Sequence, residues 1–202
     1  MSAAKGATIA ETYKDRINAL RNGGGRKILG IVGPPGCGKS TLAAALLELL
    51  GDDAVAVPMD GYHLANVELA RLGRAGRKGA EDTFDSAGYV SLLRRLKEQQ
   101  ANEIVYAPEF RREIEEPIAN AIPVFPETRL VITEGNYLLL DHGHWAGVSE
   151  LLDEIWYVDI DHSVRRERLV KRHMHFGRSQ SAAEDWVANT DEPNAVRIEA
   201  TK

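Results

Sequence analysis

Lys27-Ile28-Leu29-Gly30-Ile31-Val32-Gly33-Pro34-Pro35-Gly36-Cys37-Gly38-Lys39-Ser40-Thr41 is the stretch that decides the fold. Its opening, Lys27 to Val32, is a short apolar run closed by glycine and proline, which predicts a buried parallel strand. The leucine- and alanine-rich stretch from Lys39 to Leu50 predicts a helix. Between them, Gly33 to Ser40 satisfies G-x-x-x-x-G-K-[ST], and strand before with helix after is the context that marks a phosphate-binding loop. Glycines let backbone N–H groups curl around phosphate oxygens, and the helix start adds a favourable dipole. Lys39 brings a cation to the β- and γ-phosphates, and Ser40 offers a hydroxyl to Mg²⁺. The loop residues Gly33, Pro34, Pro35, Gly36, Cys37, Gly38, Lys39, Ser40 and Thr41 are the expected ATP contacts. The plainer alternative, a glycine-rich turn with an accidental lysine, fits the flanking elements poorly.

Further strands are expected at 54–59, 129–133 and 154–160, and helices at 87–100, 162–172 and 181–190. Ile9, Tyr13, Ile17 and Leu20 form one apolar stripe, so an opening helix within 1–22 packs on the domain ahead of the linker Asn22-Gly23-Gly24-Gly25. Alternating strands and helices predict a mostly parallel sheet covered on both faces, in one domain of 202 residues. Ligands of such sheets sit beyond the carboxyl ends of the strands. Gly33, Asp60 and Glu134 each fall at such an end, so one topology gathers them.

A carboxylate at the position of Asp60 can accept a substrate hydroxyl's proton or bind Mg²⁺ through water, although Asp60-Gly61 alone also reads as a turn. Glu134, after an apolar strand, is the second metal-side acid, with a helix-capping acid as the alternative. Ser40, Asp60 and Glu134 therefore form the expected Mg²⁺ set. In the basic stretch 165–178, positions 165, 168 and 172 share a helical face, suiting Arg168 and Arg172 to a lid over ATP across 165–180, and a solvated helix face is the alternative.

The net charge of −5 argues against nucleic acid as a partner, and no apolar run reaches the ~18 residues of a membrane span. The first residues lack a secretory h-region and there is a single cysteine, so a cytoplasmic location is expected. Cys37 is either a small filler or a thiol acidified by the helix start. Asp85-Ser86-Ala87-Gly88 spells D-x-x-G without a preceding apolar strand and is read as chance. His142, His144, His173 and His175 are read as surface histidines, and Trp145, Trp156 and Trp186 as packing residues.

With these residues in place, the chain resembles the phosphoribulokinase, uridine kinase and type I pantothenate kinase family, and within it the bacterial nucleoside/nucleotide kinase-like or fructose transport system kinase branch. The likeness rests on Pro58–Leu64 (PMDGYHL), Arg77–Asp85 (RKGAEDTFD), Tyr106–Ile118 (YAPEFRREIEEPI), Val131–Leu140 (VITEGNYLLL) and Thr190–Ala195 (TDEPNA). It implies a P-loop NTPase α/β/α sandwich with a five-stranded, mostly parallel sheet, and a possible homodimer. It matches Asp60 to the catalytic base, Glu134 to the metal-side acid, and Arg168, Arg172 and Arg178 to the lid. Tyr62, His63, Lys78, Phe84, Asp85, Arg111 and Glu134 fall to the acceptor side, carried by 60–85 and 106–125, and Asn194 to the nucleotide base. The expected activity is ATP-dependent transfer to an alcohol of a small metabolite, such as a sugar. Asp60-Gly61-Tyr62-His63 departs from the Asp-Ser-Phe-Tyr of uridine kinases, which argues against a pyrimidine acceptor.

Overall fold

The computed structural model describes residues 9–202. Helix α1 (Glu11–Asn22) precedes strand β1 (Lys27–Val32), and α2 (Lys39–Leu50) leads into β2 (Ala54–Ala56). Helices α3 (Asn66–Arg71) and α4 (Ser86–Lys97) come next, followed by the strands β3 (Val105–Arg111) and β4 (Glu116–Val124). The chain then forms β5 (Leu130–Gly135), β6 (Glu154–Tyr157), α5 (His162–His175), α6 (Gln180–Trp186) and α7 (Glu192–Glu199). The part of the opening segment before residue 9 lies outside the described residues.

The central sheet has four strands in the order β2-β5-β1-β6, and every neighbouring pair is parallel. This corrects the expected five. The remaining extended residues, β3 and β4, pair with each other as a separate antiparallel hairpin. A short turn joins them, so their backbone groups find partners locally before any crossover to the main sheet is needed. The sequence signals this hairpin weakly, because Pro108, Pro117 and Pro123 interrupt the strand pattern.

Strand periodicity places the layers. Ile28 and Val32 of β1, with Val131 of β5, join one buried cluster that includes Tyr89, Leu93 and Leu96 of α4. Leu29 and Ile31, with Leu130 and Ile132, join another with Ile17 of α1 and Ala43 and Leu46 of α2. Helices thus cover both faces, giving the α/β/α sandwich expected, and each fully buried aliphatic side chain contributes about 1.5–3 kcal/mol.

Two local features fix the acid near β2. Val57 N–H still donates to Ile132 O at 2.9 Å, but Pro58 has no N–H, so pairing stops and Met59–Tyr62 coils into a 3₁₀ turn carrying Asp60. Gly61 then lies against the hairpin: a Cβ there would sit 2.4 Å from Pro108 O. The Asp-Gly pair is therefore a point of close backbone approach. Gly61→Ala should push the hairpin off the Asp60 turn, costing about 1–3 kcal/mol. At about 2–4 °C per kcal/mol for a chain of this size, a melting curve reads it directly, and an unchanged Tm would refute the contact.

Candidate active site

The loop after β1 depends on glycine at two points. Gly38 has φ 104°, a left-handed conformation that starts α2 without any side-chain cap, so the first helical N–H groups face the cleft. At Gly36, φ is 81° and a Cβ would meet Leu169 Cγ of α5 at 2.8 Å, so only glycine lets the loop seat against that helix. Lys39 is 7% exposed, and its ammonium donates to Gly33 O (2.9 Å), Pro34 O (3.1 Å) and Asn136 Oδ1 (2.8 Å). It ties the loop to the segment leaving β5.

Glu134 lies inside β5, one residue earlier than a strand-end position, and shares the face of Leu130 and Ile132 that meets α2. Its Oε1 accepts from Ser40 Oγ at 2.7 Å. Burial pushes its pKa up and the Asp60 charge pushes the same way, while Lys39 and the Ser40 bond oppose both. Asp60 and Glu134 line the same cleft. Asp60 Oδ2 is held by Arg112 Nη2 at 3.0 Å. Two carboxylates and a hydroxyl are hard oxygen donors, the set that suits Mg²⁺.

A cleft of about 880 Å³ joins the loop, Asp60 and Glu134 to the lid side. Of the expected residues, Pro35 to Thr41, Asp60, His63, Lys78, Phe84, Glu134, Arg168, Arg172, Arg178 and Asn194 line it. Arg168 stands over the loop, with Nη1 3.7 Å from where a Cβ on Gly38 would be. Arg172 is pushed below its ordinary pKa by burial first and by the like charge of Arg112 second. His63 Nδ1 bonds the Asp60 carbonyl at 2.8 Å, and its ring packs on Phe84 and Phe110 at 4.0 and 4.6 Å. Burial lowers its pKa, so it is neutral near pH 7.

Three expected acceptor residues lie elsewhere. Tyr62 packs on Tyr89 in the core, and burial pushes its pKa to about 12. Asp85 caps α4 by accepting from Gly88 N–H at 2.8 Å, which also explains the D-x-x-G spelling. Arg111, the last residue of β3, shares the strand face of Glu109 and pairs with it at 3.2 Å, while Arg112, the first residue of the turn, enters the cleft.

Arg112 and Asn136 lie within the stretches 106–118 and 131–140, and nothing in their spacing singles them out. His173 is not a surface histidine. It follows the buried Leu169 by one turn, bonds Asp191 Oδ2 at 2.8 Å and lines the cleft. Trp186 also lines it, beneath the Arg178 guanidinium at 3.9 Å, whereas Trp145 and Trp156 are buried packing residues as expected. His142 is on the surface with Glu81 and Arg197. Cys37 is the buried filler, since α2 begins two residues later and burial raises the thiol's pKa more than Lys39 lowers it. Among the described residues no helix is long and apolar enough to cross a membrane.

Residues 28–198 match the Phosphoribulokinase / Uridine kinase family. The chain belongs to that family. A Schizosaccharomyces pombe relative named putative uridine kinase C227.14 is 36% identical over 197 residues, covering 93% of this chain and 83% of its own. The solved structure of a putative fructose transport system kinase from Silicibacter sp. TM1040 superposes with TM-score 0.84 at 37% identity, covering 96% of each chain. Saccharomyces cerevisiae YFH7 shares the fold, with TM-score 0.80 at 19% identity over 95% of this chain and 96% of its own. Kinases of this family bind ATP through a P-loop, and the strand-loop-helix built around Lys39 is that element here.

The raised pKa of Glu134 has a stability consequence. Ionising a carboxyl whose folded pKa exceeds the unfolded one costs stability as pH rises from the ordinary carboxylate range through the raised value. Glu134→Gln should therefore raise the Tm of the nucleotide-free protein at pH 7–8 by a few degrees, with the gain shrinking toward pH 4, while turnover collapses. A lower Tm at neutral pH would mean that the ionised carboxylate is a net stabiliser.

Proposed function

We propose that the protein transfers the γ-phosphoryl group of ATP to an alcohol group of a small polar metabolite, with a sugar as the leading class. The observation that carries this reading is the Asp60 carboxylate, held by Arg112 in the same cleft as the Lys39 loop and Glu134. A protein that only sensed ATP has no need of an acid there. The fructose transport system kinase name of the Silicibacter neighbour supports a sugar.

In this mechanism, loop N–H groups and Lys39 bind the β- and γ-phosphates, with Lys39 turning from its carbonyl partners toward them. Ser40 and Glu134, with Asp60 beside them, would hold Mg²⁺, which when bound would supply positive charge against the phosphates. Asp60 orients the acceptor hydroxyl and takes its proton as the new P–O bond forms and the bond to the departing ADP oxygen breaks. Arg168 and Arg172 approach from α5 and stabilise charge spread over the transferring group. Asn194, with Trp186 and Asp191 nearby, lines the part of the cleft assigned to the base. The reading includes a cytoplasmic protein working as a single kinase unit or as a homodimer.

Asp60→Asn should lower kcat by ~10²–10⁴, the usual range for losing a general base, while KM for ATP stays within a few-fold of wild type. Acceptor-dependent ADP release measures both, and undiminished kcat would remove Asp60 from the chemistry.

A further inference from the structure

The cations of the cleft fall into two sets. Arg168 lies over the phosphate loop at Gly38. Lys78 and Arg112 lie on the hairpin side, around the ring of Phe110, with Lys78 Nζ 5.1 Å and Arg112 Cζ 5.9 Å from its centroid. Lys78 donates to two neutral acceptors, Asn66 Oδ1 at 2.7 Å and the Glu115 carbonyl, and forms no ion pair among the described residues. Burial lowers its pKa, and the more distant charges of Glu115 and Glu116 only partly offset that. Arg112 spends one nitrogen on Asp60, which leaves most of its planar fork free for a second oxyanion. Arg172, also without an ion pair among the described residues, lines the same cleft as Arg112.

A neutral polyol is usually read by carboxylates and amides, and setting partly buried like charges side by side for it is unfavourable. Resting on the kinase reading above, we propose that the acceptor alcohol carries an anionic group of its own, a carboxylate or a phosphate, received by Lys78 and Arg112 against Phe110. The two contacts do different work. Lys78, pre-oriented by Asn66 and Glu115, supplies a point charge, and Arg112 spans the substrate's anion and Asp60, setting the distance between that anion and the reacting hydroxyl. Both are specificity-determining residues outside the phosphate loop.

The test compares each neutral alcohol with its charged relatives: glycerol with glycerate and glycerol 3-phosphate, and fructose with gluconate and fructose 6-phosphate. Acceptor-dependent ADP release gives kcat/KM, and calorimetry on protein saturated with Mg²⁺ and a non-hydrolysable ATP analogue gives binding with the loop already filled. A charged member should exceed its neutral parent by about tenfold or more in kcat/KM, the size of one charge-assisted contact. Lys78→Gln should abolish that advantage through KM while KM for ATP stays near wild type, and Arg112→Gln, which also releases Asp60, should abolish it together with a fall in kcat on every acceptor. Arg112→Lys, which keeps the charge but loses the fork, should recover part of it and guards against a folding defect. The better charged member separates hydroxy acids from sugar phosphates. Preference for neutral alcohols, or equal weakening of neutral and charged acceptors in the variants, overturns the proposal and leaves the kinase standing. Failure of every alcohol to stimulate ADP release overturns the kinase reading, and this inference with it.

Discussion

The site is organised around one buried cation. The Lys39 ammonium bonds three oxygens at 2.8–3.1 Å, two from the loop that carries it and one from Asn136 just past β5. A buried ammonium without partners would be costly, so this coordination makes the loop, β1 and β5 a single unit. The parallel register, with Val32 opposite Gly135, brings the two strand ends level. Lys39 and Ser40 at the start of α2 therefore meet Glu134 and Asn136 from β5.

Ionisable side chains are concentrated at those strand ends, which is poor for stability and useful for phosphate chemistry. Glu134 is 7% exposed and its pKa is raised by burial and by a second carboxylate. Its compensation is one hydroxyl and one nearby ammonium. A divalent cation with a triphosphate changes that balance, because it supplies positive charge where the protein has placed two acids. Two acids gathered beside a buried ammonium are thus held together at some expense to the free protein.

The hairpin side of the cleft is built differently. No strand of the central sheet supplies it beyond the point where Pro58 ends pairing; the β3–β4 hairpin and the turns around Asp60 and Lys78 do. Gly61 lets hairpin backbone approach the Asp60 turn, and His63 and Phe110 fill the space between them. Elements attached at the edge of a rigid sheet can change side chains without disturbing the phosphate loop. A family with one nucleotide-binding frame and varied acceptor names among its relatives is consistent with that division.

The sequence alone determined the strand-loop-helix, the parallel sheet with helices on both faces, and the arrival of Asp60 and Glu134 beside Lys39. Those readings rest on local grammar: an apolar run, glycines where φ must be positive, a periodic helix, and the rule that parallel strands open their carboxyl ends to one side. Tertiary structure decided the rest, because it turns on which way neighbouring side chains face and on contacts between distant segments. The end of β3 leaves Arg111 on the strand's outer face with Glu109 and sends Arg112, the first residue of the turn, to Asp60. Asp85 was taken by its own helix cap and Tyr62 by the core, while His173 was drawn inward by Asp191. The central sheet has four strands where the resemblance implied five, and β3 and β4 pair only with each other, an arrangement that residue spacing does not record.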